Sequence, residues 1–275
     1  MQGRAALVTA IIRNRRVNLV LDTGANVSVL HQTVAAELRL QPAPADGAVL
    51  LTVGASRPSA GAVLPGLQIG GLSIPAMTVA VDPDVPADGV LGLDVLSRFD
   101  VDLDLGHTRL ALHPAGGCAN QLPPADPPFQ AVQATRALAT SAGAGAPAAS
   151  YLLIPATLDG ATTLAMLDTG ALAGSLVSNG FAASTGVGLQ ALAKDAPLSV
   201  QGFGTEAILR RHRFTELRVA RETIPTPSLL VGGVQPAFAM VLGQDYIVAH
   251  RLWLDFAGNR VLIAKTGARP RPSAP

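Results

Sequence analysis

Short apolar stretches separated by turn-forming residues run along the whole chain. The stretches are mostly about four to eight residues long and rich in Leu, Val, Ile and Ala, and they are interrupted by Gly, Pro, Asn and Asp. Apolar runs of this length favour β-strands, because amphipathic helices need longer segments with a repeat near 3.6 residues. The pattern therefore predicts an all-β protein.

Two β-hairpins are predicted at corresponding places in the two halves of the chain. In the first half, residues 7–12 and 17–21 form the two strands. In the second half, residues 151–157 and 162–167 flank an Asp-Gly turn, which is a strong hairpin signal between apolar runs. Both return strands lead directly into the same triplet, Asp-Thr-Gly.

The two triplets are Asp22-Thr23-Gly24 and Asp168-Thr169-Gly170, and an Ala follows each of them. A single Asp-Thr-Gly is a weak motif, because Asp also occurs in ordinary turns where it bonds its own backbone. Two copies after equivalent strands form a much more specific signal.

A longer repeat contains these triplets. One offset aligns residues 90–96 (Val-Leu-Gly-Leu-Asp-Val-Leu) with residues 241–247 (Val-Leu-Gly-Gln-Asp-Tyr-Ile), and it also places residues 103–104 on residues 254–255, both Leu-Asp. The separation of the two triplets is close to the same offset, with a few extra residues in the second half. We interpret the chain as an internal duplication.

Paired carboxyl groups from two equivalent loops indicate acid–base chemistry. Two adjacent carboxylates cannot both ionise easily, so one keeps a proton while the other acts as a base on a water molecule that attacks a peptide carbonyl. Gly24 and Gly170 permit a tight turn and a close approach of backbone N–H groups to the carboxylates. The hydroxyls of Thr23 and Thr169 are expected to bond across to the opposite loop.

The amino-acid composition narrows the possible functions of the chain only slightly. The chain has 275 residues, 14% of them charged, and a net charge of +1, which gives no electrostatic reason for nucleic-acid binding. No apolar run approaches the roughly 18 residues of a membrane span. The spacing of the five histidines does not suggest a zinc site, and the single cysteine, Cys118, cannot form an internal disulfide.

The expected organisation has two lobes, residues 1–113 and 150–266, joined by a Pro/Ala/Gly-rich linker at 114–149 and followed by a flexible tail at 267–275. Within the linker, the sequence does not distinguish a short strand from a short helix for residues 130–138. If a signal or anchor precedes residue 1, the expected location is periplasmic, secreted or membrane-tethered, and otherwise cytoplasmic.

The order apolar-apolar-Asp-Thr-Gly-Ala, then apolar-apolar-Gly-x-Asp, resembles the retropepsin-like aspartic peptidases, the clan of pepsins and retroviral proteases, and bacterial members in particular. The resemblance implies an all-β, bilobal acid-protease (pepsin/retropepsin-like) fold with a pseudo-twofold axis and a cleft between the lobes. It also implies that Asp22 and Asp168 are catalytic and that residues 90–92 and 241–243 form strands behind the catalytic loops. Retropepsins usually pair two copies of one lobe, whereas this chain carries both, which implies a monomer.

The resemblance further implies flaps, β-hairpins that close over a substrate. The segments 52–56 and 200–204 are the candidates, and their proposed contact residues are Gly54, Ala55, Ser56, Gly202, Phe203 and Gly204. The alternative for each is a plain glycine hairpin without ligand contact. The tyrosine of pepsin flaps has no counterpart there, since the only tyrosines are Tyr151 and Tyr246.

The predicted function is that of an aspartic endopeptidase that cleaves an extended polypeptide without a metal or organic cofactor. One alternative is a catalytically silent peptide-binding or regulatory module, which the longer second loop and the missing flap tyrosine favour. Another is pairing of two chains, so that Asp22 meets the partner's Asp22. Asp94 and Asp245 are interpreted as structural residues that cap a short helix or bond an arginine.

Overall fold

The computed structural model describes residues 4–43, 49–52, 55–116, 122, 124–138, 150–202, 204–232 and 238–267. Within these ranges the protein is built almost entirely of β-strands with a few short helices. A search of the same residues for helices with the length and apolarity of a membrane span finds none.

In the described part of the first half, the chain forms thirteen strands, two short helices and a 3₁₀ turn at Leu105–His107. The helices are α1 (Gln32–Glu37) and α2 (Leu93–Leu96). The strands are β1 (Leu7–Ile12), β2 (Arg15–Leu21), β3 (Val29–His31), β4 (Gln41–Ala43), β5 (Val49–Thr52), β6 (Ala55–Pro58), β7 (Ala60–Leu64), β8 (Leu67–Ile69), β9 (Leu72–Ile74), β10 (Met77–Asp82), β11 (Gly89–Leu91), β12 (Phe99–Asp104) and β13 (Arg109–Pro114).

The described part of the second half is also mostly β-strand, with three short helices. Its helices are α3 (Asn179–Ser184), α4 (Leu189–Leu192) and α5 (Gln244–Ile247). Its strands are β14 (Gln130–Gln133), β15 (Thr135–Leu138), β16 (Ser150–Leu158), β17 (Ala161–Leu167), β18 (Leu176–Val177), β19 (Pro197–Gly202), β20 (Thr205–Arg213), β21 (Glu216–Val219), β22 (Glu222–Pro225), β23 (Ser228–Val231), β24 (Met240–Leu242), β25 (His250–Asp255) and β26 (Arg260–Lys265).

Two large mixed sheets form the two lobes. The first has the strand order β4-β7-β10-β3-β11-β2-β1-β8-β9, and the second has β19-β20-β23-β18-β24-β17-β16-β21-β22, with β15 added on β16. In each sheet the strand that leads into Asp-Thr-Gly lies parallel to the Val-Leu strand of the repeat, β2 beside β11 and β17 beside β24. The structure thus shows an all-β, bilobal fold with an internal repeat.

The two predicted hairpins are present. β1 pairs with β2 through a turn at Arg13–Asn14, where both φ angles are positive, 47° and 67°. β16 pairs with β17 through Asp159 and Gly160, with φ angles of 45° and 85°. Two consecutive left-handed residues match the right-handed twist of the flanking strands, which explains why Asn, Asp and Gly occur at these turns.

A third sheet joins the lobes, with the order β13-β12-β25-β26-β14. In it β12 of the first lobe pairs with β25 of the second, with Val101 opposite Leu254. The fully buried Asp102 accepts two hydrogen bonds from Arg251, at 2.8 and 2.7 Å. Because an unpaired buried carboxylate is very costly, this pair constrains how the two lobes meet.

Residues 130–138, for which the sequence did not distinguish a strand from a helix, contain two strands. Residues 130–133 are β14, which pairs with β26 in the joining sheet. Residues 135–138 are β15, which pairs with β16 of the second lobe. This part of the connection between the halves is therefore tied to both sheets.

Glu222 links β22 to the joining sheet and supplies a test of stability. Its carboxylate lies 2.6 Å from His250 Nε2 and accepts a 2.6 Å bond from Lys265 Nζ. The hydrogen bond to His250 is the main reason that the pKa of Glu222 falls to about 2, below its ordinary 4.5, and Lys265 contributes further. A lowered pKa stabilises the folded state above the ordinary value, and this stabilisation is lost as the pH falls toward 2.

We expect Glu222→Gln to lower the free energy of unfolding at pH 7 by roughly 2 to 3 kcal/mol. Urea unfolding at a series of pH values measures this, and the difference from the wild type should shrink between about pH 4.5 and pH 2. Glu216→Gln is the control, because the ion pair of Glu216 with Arg218 is exposed to solvent and contributes little to stability. A difference that stays constant over this range would contradict the role given to the Glu222 charge.

Candidate active site

The two Asp-Thr-Gly loops lie at the ends of central strands. Leu19, Val20 and Leu21 are all buried, because β2 is covered on both faces and flanked by strands on both sides. The loop then stays attached to the neighbouring strand through a bond from Asp22 N to Leu91 O, at 3.1 Å. The second loop repeats this bond, from Asp168 N to Leu242 O at 3.0 Å.

Backbone amides hold each carboxyl group in the same way. Asp22 Oδ1 accepts hydrogen bonds from Gly24 N at 2.8 Å and from Ala25 N at 3.0 Å. Asp168 Oδ1 accepts them from Gly170 N at 2.7 Å and from Ala171 N at 3.2 Å. These bonds fix the orientation of each carboxyl group and favour its ionised form.

The two loops bring Asp22 and Asp168, hereafter the Asp pair, into direct contact. Their carboxyl groups hydrogen-bond each other. Each also lies against the glycine of the opposite loop. A Cβ at Gly24 would be 2.4 Å from Asp168 Cγ, and a Cβ at Gly170 would be 2.5 Å from Asp22 Oδ2. Only glycine allows the loops to come this close.

The surroundings of the Asp pair raise both pKa values. Burial is the main cause for Asp22, and the bonds from the Gly24 and Ala25 amides and from Asp168 partly offset it. Burial is also the main cause for Asp168, whose pKa rises well above its ordinary value because the charge of Asp22 adds repulsion. The pair therefore retains one shared proton to a higher pH than isolated carboxyl groups would.

The two threonines of the triplets cross-link the loops. Thr23 Oγ1 donates to Leu167 O at 2.7 Å, and Thr169 Oγ1 donates to Leu21 O at 2.7 Å. Each hydroxyl also accepts the backbone N–H of the other threonine, at 3.0 and 3.1 Å. All four bonds are buried, and they connect the bases of the two loops symmetrically across the lobes.

A serine supports each loop from behind, and the sequence analysis missed it. Ser28 Oγ donates to Asp94 at 2.6 Å and accepts from Gly92 N at 3.0 Å. Ser175 makes the same two contacts, with Asp245 at 2.6 Å and with Gly243 N at 3.0 Å. The helix-cap interpretation of the two aspartates is wrong, because glycines occupy the N-caps of α2 and α5. Aligning the two Asp-Thr-Gly loops on these serines would have shown that Ser28 and Ser175 are equivalent.

The longer second loop takes up its extra residue away from the Asp pair. Gly174 has a φ of +116°, a conformation that L side chains rarely adopt. Beyond it, Ser175 again occupies the place of Ser28, and before it Asp168 keeps the same two amide contacts as Asp22. The extra residue therefore leaves the contacts of the second carboxyl group unchanged.

Both candidate flap segments lie at hairpins. Thr52 is opposite Ala55 in the β5–β6 hairpin, and Gly202 is opposite Thr205 in the β19–β20 hairpin. Ala55 and Ser56 begin β6, and Gly204 is a turn residue with a φ of +66°. The candidates Gly54 and Phe203 lie outside the described residues.

Two further residues contact the loops from outside the triplets. Tyr151, at the beginning of β16, donates a hydrogen bond from its hydroxyl to Gly24 O at 3.3 Å. Gln244 Nε2 donates to Thr169 O at 3.0 Å. The first half has Leu93 where the repeat places Gln244, so these contacts make the two sides of the site unequal.

Comparison with protein families gives one match in each lobe. Residues 8–98 match the family described as "gag-polyprotein putative aspartyl protease", and residues 154–246 match the family described as "Aspartyl protease". Each match includes one Asp-Thr-Gly loop and the Val-Leu-Gly segment behind it. The chain belongs to the retropepsin-like aspartic proteases. A search of curated proteins finds no match. The family assignment and the bilobal fold confirm the resemblance seen in the sequence.

Proposed function

We propose that this retropepsin-like protein is an aspartic endopeptidase that uses Asp22 and Asp168 to hydrolyse peptide bonds of an extended polypeptide. The observation that carries the proposal is the direct contact between two carboxyl groups held by equivalent loops. Family membership supports aspartic protease chemistry in general. The assignment of these two residues rests on their geometry.

The proposed reaction needs one proton on the pair. The ionised carboxylate takes a proton from the attacking water as its oxygen bonds to the peptide carbonyl carbon, and the protonated carboxyl group gives its proton to the carbonyl oxygen. When the C–N bond breaks, the first carboxyl group passes its new proton to the leaving amine. The second regains a proton from the hydroxyl of the new acid, and the starting state is restored.

Equivalence of the two loops supports an active enzyme over a silent binding module. A module that only bound peptides would not need both carboxyl groups in contact, because a buried pair that shares one proton is costly to the fold. The longer second loop is one of the two features that favour the silent alternative. Its extra residue leaves the amide contacts of Asp168 intact.

The β5–β6 and β19–β20 hairpins are the proposed flaps. Each hairpin lies at the place where the family resemblance implies a flap, one in each lobe. Backbone groups of such hairpins can pair with an extended peptide, and this pairing would select chain conformation more than side-chain identity. No nucleic-acid partner is proposed.

The deciding experiment is digestion of a mixed peptide library over a range of pH. We expect internal cleavage with a bell-shaped pH dependence and an optimum on the acidic side of neutral, because activity requires one ionised and one protonated carboxyl group. A statine-type inhibitor should compete with substrate, whereas chelators should have no effect. Inhibition by a chelator, or a rate that still climbs above about pH 8, would contradict the aspartic mechanism.

The same assay, repeated over a dilution series, tests whether one chain is sufficient. Both carboxyl groups of the proposed site come from a single chain, so activity per mole of chain should stay constant on dilution. Activity that falls with dilution would favour the model in which Asp22 meets the Asp22 of a second chain.

A further inference from the structure

Arg211 lies between the proposed flap of the second lobe and the second Asp-Thr-Gly loop. It belongs to β20, the second strand of that hairpin. Its guanidinium donates from Nη2 to Ala173 O, in the loop that carries Asp168, at 3.4 Å. The long distance indicates a weak bond, which orients the guanidinium and occupies only one of its N–H groups.

The strand register places Arg211 on the same face of the sheet as Asp168. Residues directly opposite each other on paired strands point to the same face. A row of such pairs crosses the sheet from β20 to β17 and contains Arg211, Leu230, Leu176, Val241 and Met166. Met166 is two residues before Asp168, so the alternation of the strand brings both to one face. Arg211 therefore faces the cleft side of the second lobe.

The position of Arg211 along the cleft follows from the spacing of the strands. Four steps separate β20 from β17, and at about 4.8 Å per step the two strands are roughly 19 Å apart across the sheet. An extended peptide advances about 3.3 Å per residue. Because the side chain leans back toward Ala173, the guanidinium can reach substrate residues roughly three to five positions from the cleaved bond.

Within the described residues, Arg211 has no carboxylate partner. Asp195, the acidic residue beside β20, contacts the opposite face of the strand, where its carboxylate pairs with His212 at 2.7 Å. Asp245, behind the second loop, accepts a hydrogen bond from Ser175 instead. A half-buried guanidinium without a counter-ion favours an external carboxylate, which it can hold by two parallel hydrogen bonds.

The first lobe has no cation at the equivalent position. The corresponding row of pairs crosses the first sheet and contains Gly61, Ala80, Val29, Val90 and Val20. Val20 is two residues before Asp22, as Met166 is before Asp168, so Gly61 corresponds to Arg211. Glycine has no side chain that could bind a carboxylate. The two ends of a substrate that crosses between the lobes therefore meet different charges.

We propose that Arg211 is a specificity-determining residue that selects substrates with an aspartate or glutamate roughly three to five residues from the cleaved bond, on one side only. This inference rests on the proposed peptidase function. It identifies the favoured partner of the cleft as an acidic peptide segment.

Matched peptides test this selectivity. Starting from one well-cleaved peptide, each position from two to six residues on either side of the cleaved bond is changed in turn to Glu and to Gln. We expect Glu to raise kcat/KM about three- to fivefold over Gln at one or two positions on one side, mainly through KM, because a partly exposed ion pair adds uniform binding. The preference should weaken at high salt and vanish below about pH 4, where glutamate is protonated.

Variants separate a charge effect from a merely structural one. Arg211→Gln should cleave the Glu and Gln peptides equally, Arg211→Lys should keep the preference, and Arg211→Glu should prefer a Lys peptide. Arg218→Gln removes an exposed arginine of β21 and should keep the wild-type preference, which controls for net charge. A preference of equal size on both sides of the bond, or one that survives Arg211→Gln, would overturn the inference.

The inference and the proposed function fail in different ways. Cleavage by the wild type without a preference for Glu overturns the role of Arg211 and leaves the peptidase function intact. If the wild type cleaves no peptide, binding of a fluorescein-labelled extended Glu-rich peptide and of its Gln counterpart decides. Tighter binding of the Glu-rich peptide that is lost in Arg211→Gln supports the inference, and equal binding, or none, overturns it.

Discussion

Asp22→Asn and Asp168→Asn are each expected to lower kcat for peptide hydrolysis by about 10³- to 10⁴-fold, with little change in KM. An amide cannot take a proton from water or supply one to the carbonyl oxygen, yet it has nearly the same shape as a carboxyl group. Asn Oδ1 can still accept the two backbone amides of its loop. Steady-state kinetics on a single cleaved peptide measure the effect.

Stability measurements show whether these variants lose chemistry or lose the fold. Burial raises the pKa of both carboxyl groups, so ionising them costs the wild type stability as the pH rises above about 3.8. The Asn variants avoid this cost, and their unfolding temperatures at neutral pH should equal or exceed that of the wild type. Asp84→Asn, at an exposed position, is the control for the substitution itself. Substantial residual turnover in either pair variant would rule out a mechanism that needs both carboxyl groups.

The sequence predicts the Asp pair because two local signals are repeated. Apolar strands that end in Asp-Thr-Gly identify each loop, and the duplication implies that the loops meet across a pseudo-twofold axis. The threonine cross-links follow from the same symmetry, because each hydroxyl has an equivalent partner 146 positions away. Contacts that both halves share can thus be inferred from one chain.

Contacts that break the symmetry could not be predicted. Tyr151 lies 127 positions from Gly24 and belongs to no motif, so its bond depends on where the start of β16 meets the other lobe. Pairing of Asp102 with Arg251 likewise depends on β12 meeting β25 in the joining sheet. Local periodicity identifies strands, but it does not specify which strands of different lobes become neighbours.

The secondary structure of the shortest segments was also ambiguous, because they contain too few residues to show a period. β14 and β15 have four residues each, which is too few to distinguish a strand from a helical turn by periodicity. Their conformation is determined by the sheets that they join. Asp94 and Asp245 illustrate the same limit, since each is the second residue of a four-residue helix but bonds a serine that precedes it by 66 or 70 positions.

Gly24→Ala and Gly170→Ala are expected to lower kcat by about 10²-fold, because a displacement of roughly 1 Å in a reacting group has a cost of this size. A Cβ at Gly24 would lie 2.4–2.5 Å from three atoms of the Asp168 carboxyl group, and a Cβ at Gly170 would lie 2.5–2.7 Å from those of Asp22. Neither glycine has a left-handed φ angle, so the backbone can accept alanine. The expected defect is therefore separation of the Asp pair.

Gly71→Ala and Gly180→Ala are matched controls, one in each lobe. Neither position has a left-handed φ angle, and no heavy atom lies within 4 Å of the added Cβ. Both control variants should retain wild-type kcat. Because separated carboxyl groups repel each other less, the basic limb of the pH profile in Gly24→Ala and Gly170→Ala should move to lower pH as the pair loses its shared proton more easily. Wild-type kcat in either triplet variant would mean that the close contact between the loops is not required for the reaction.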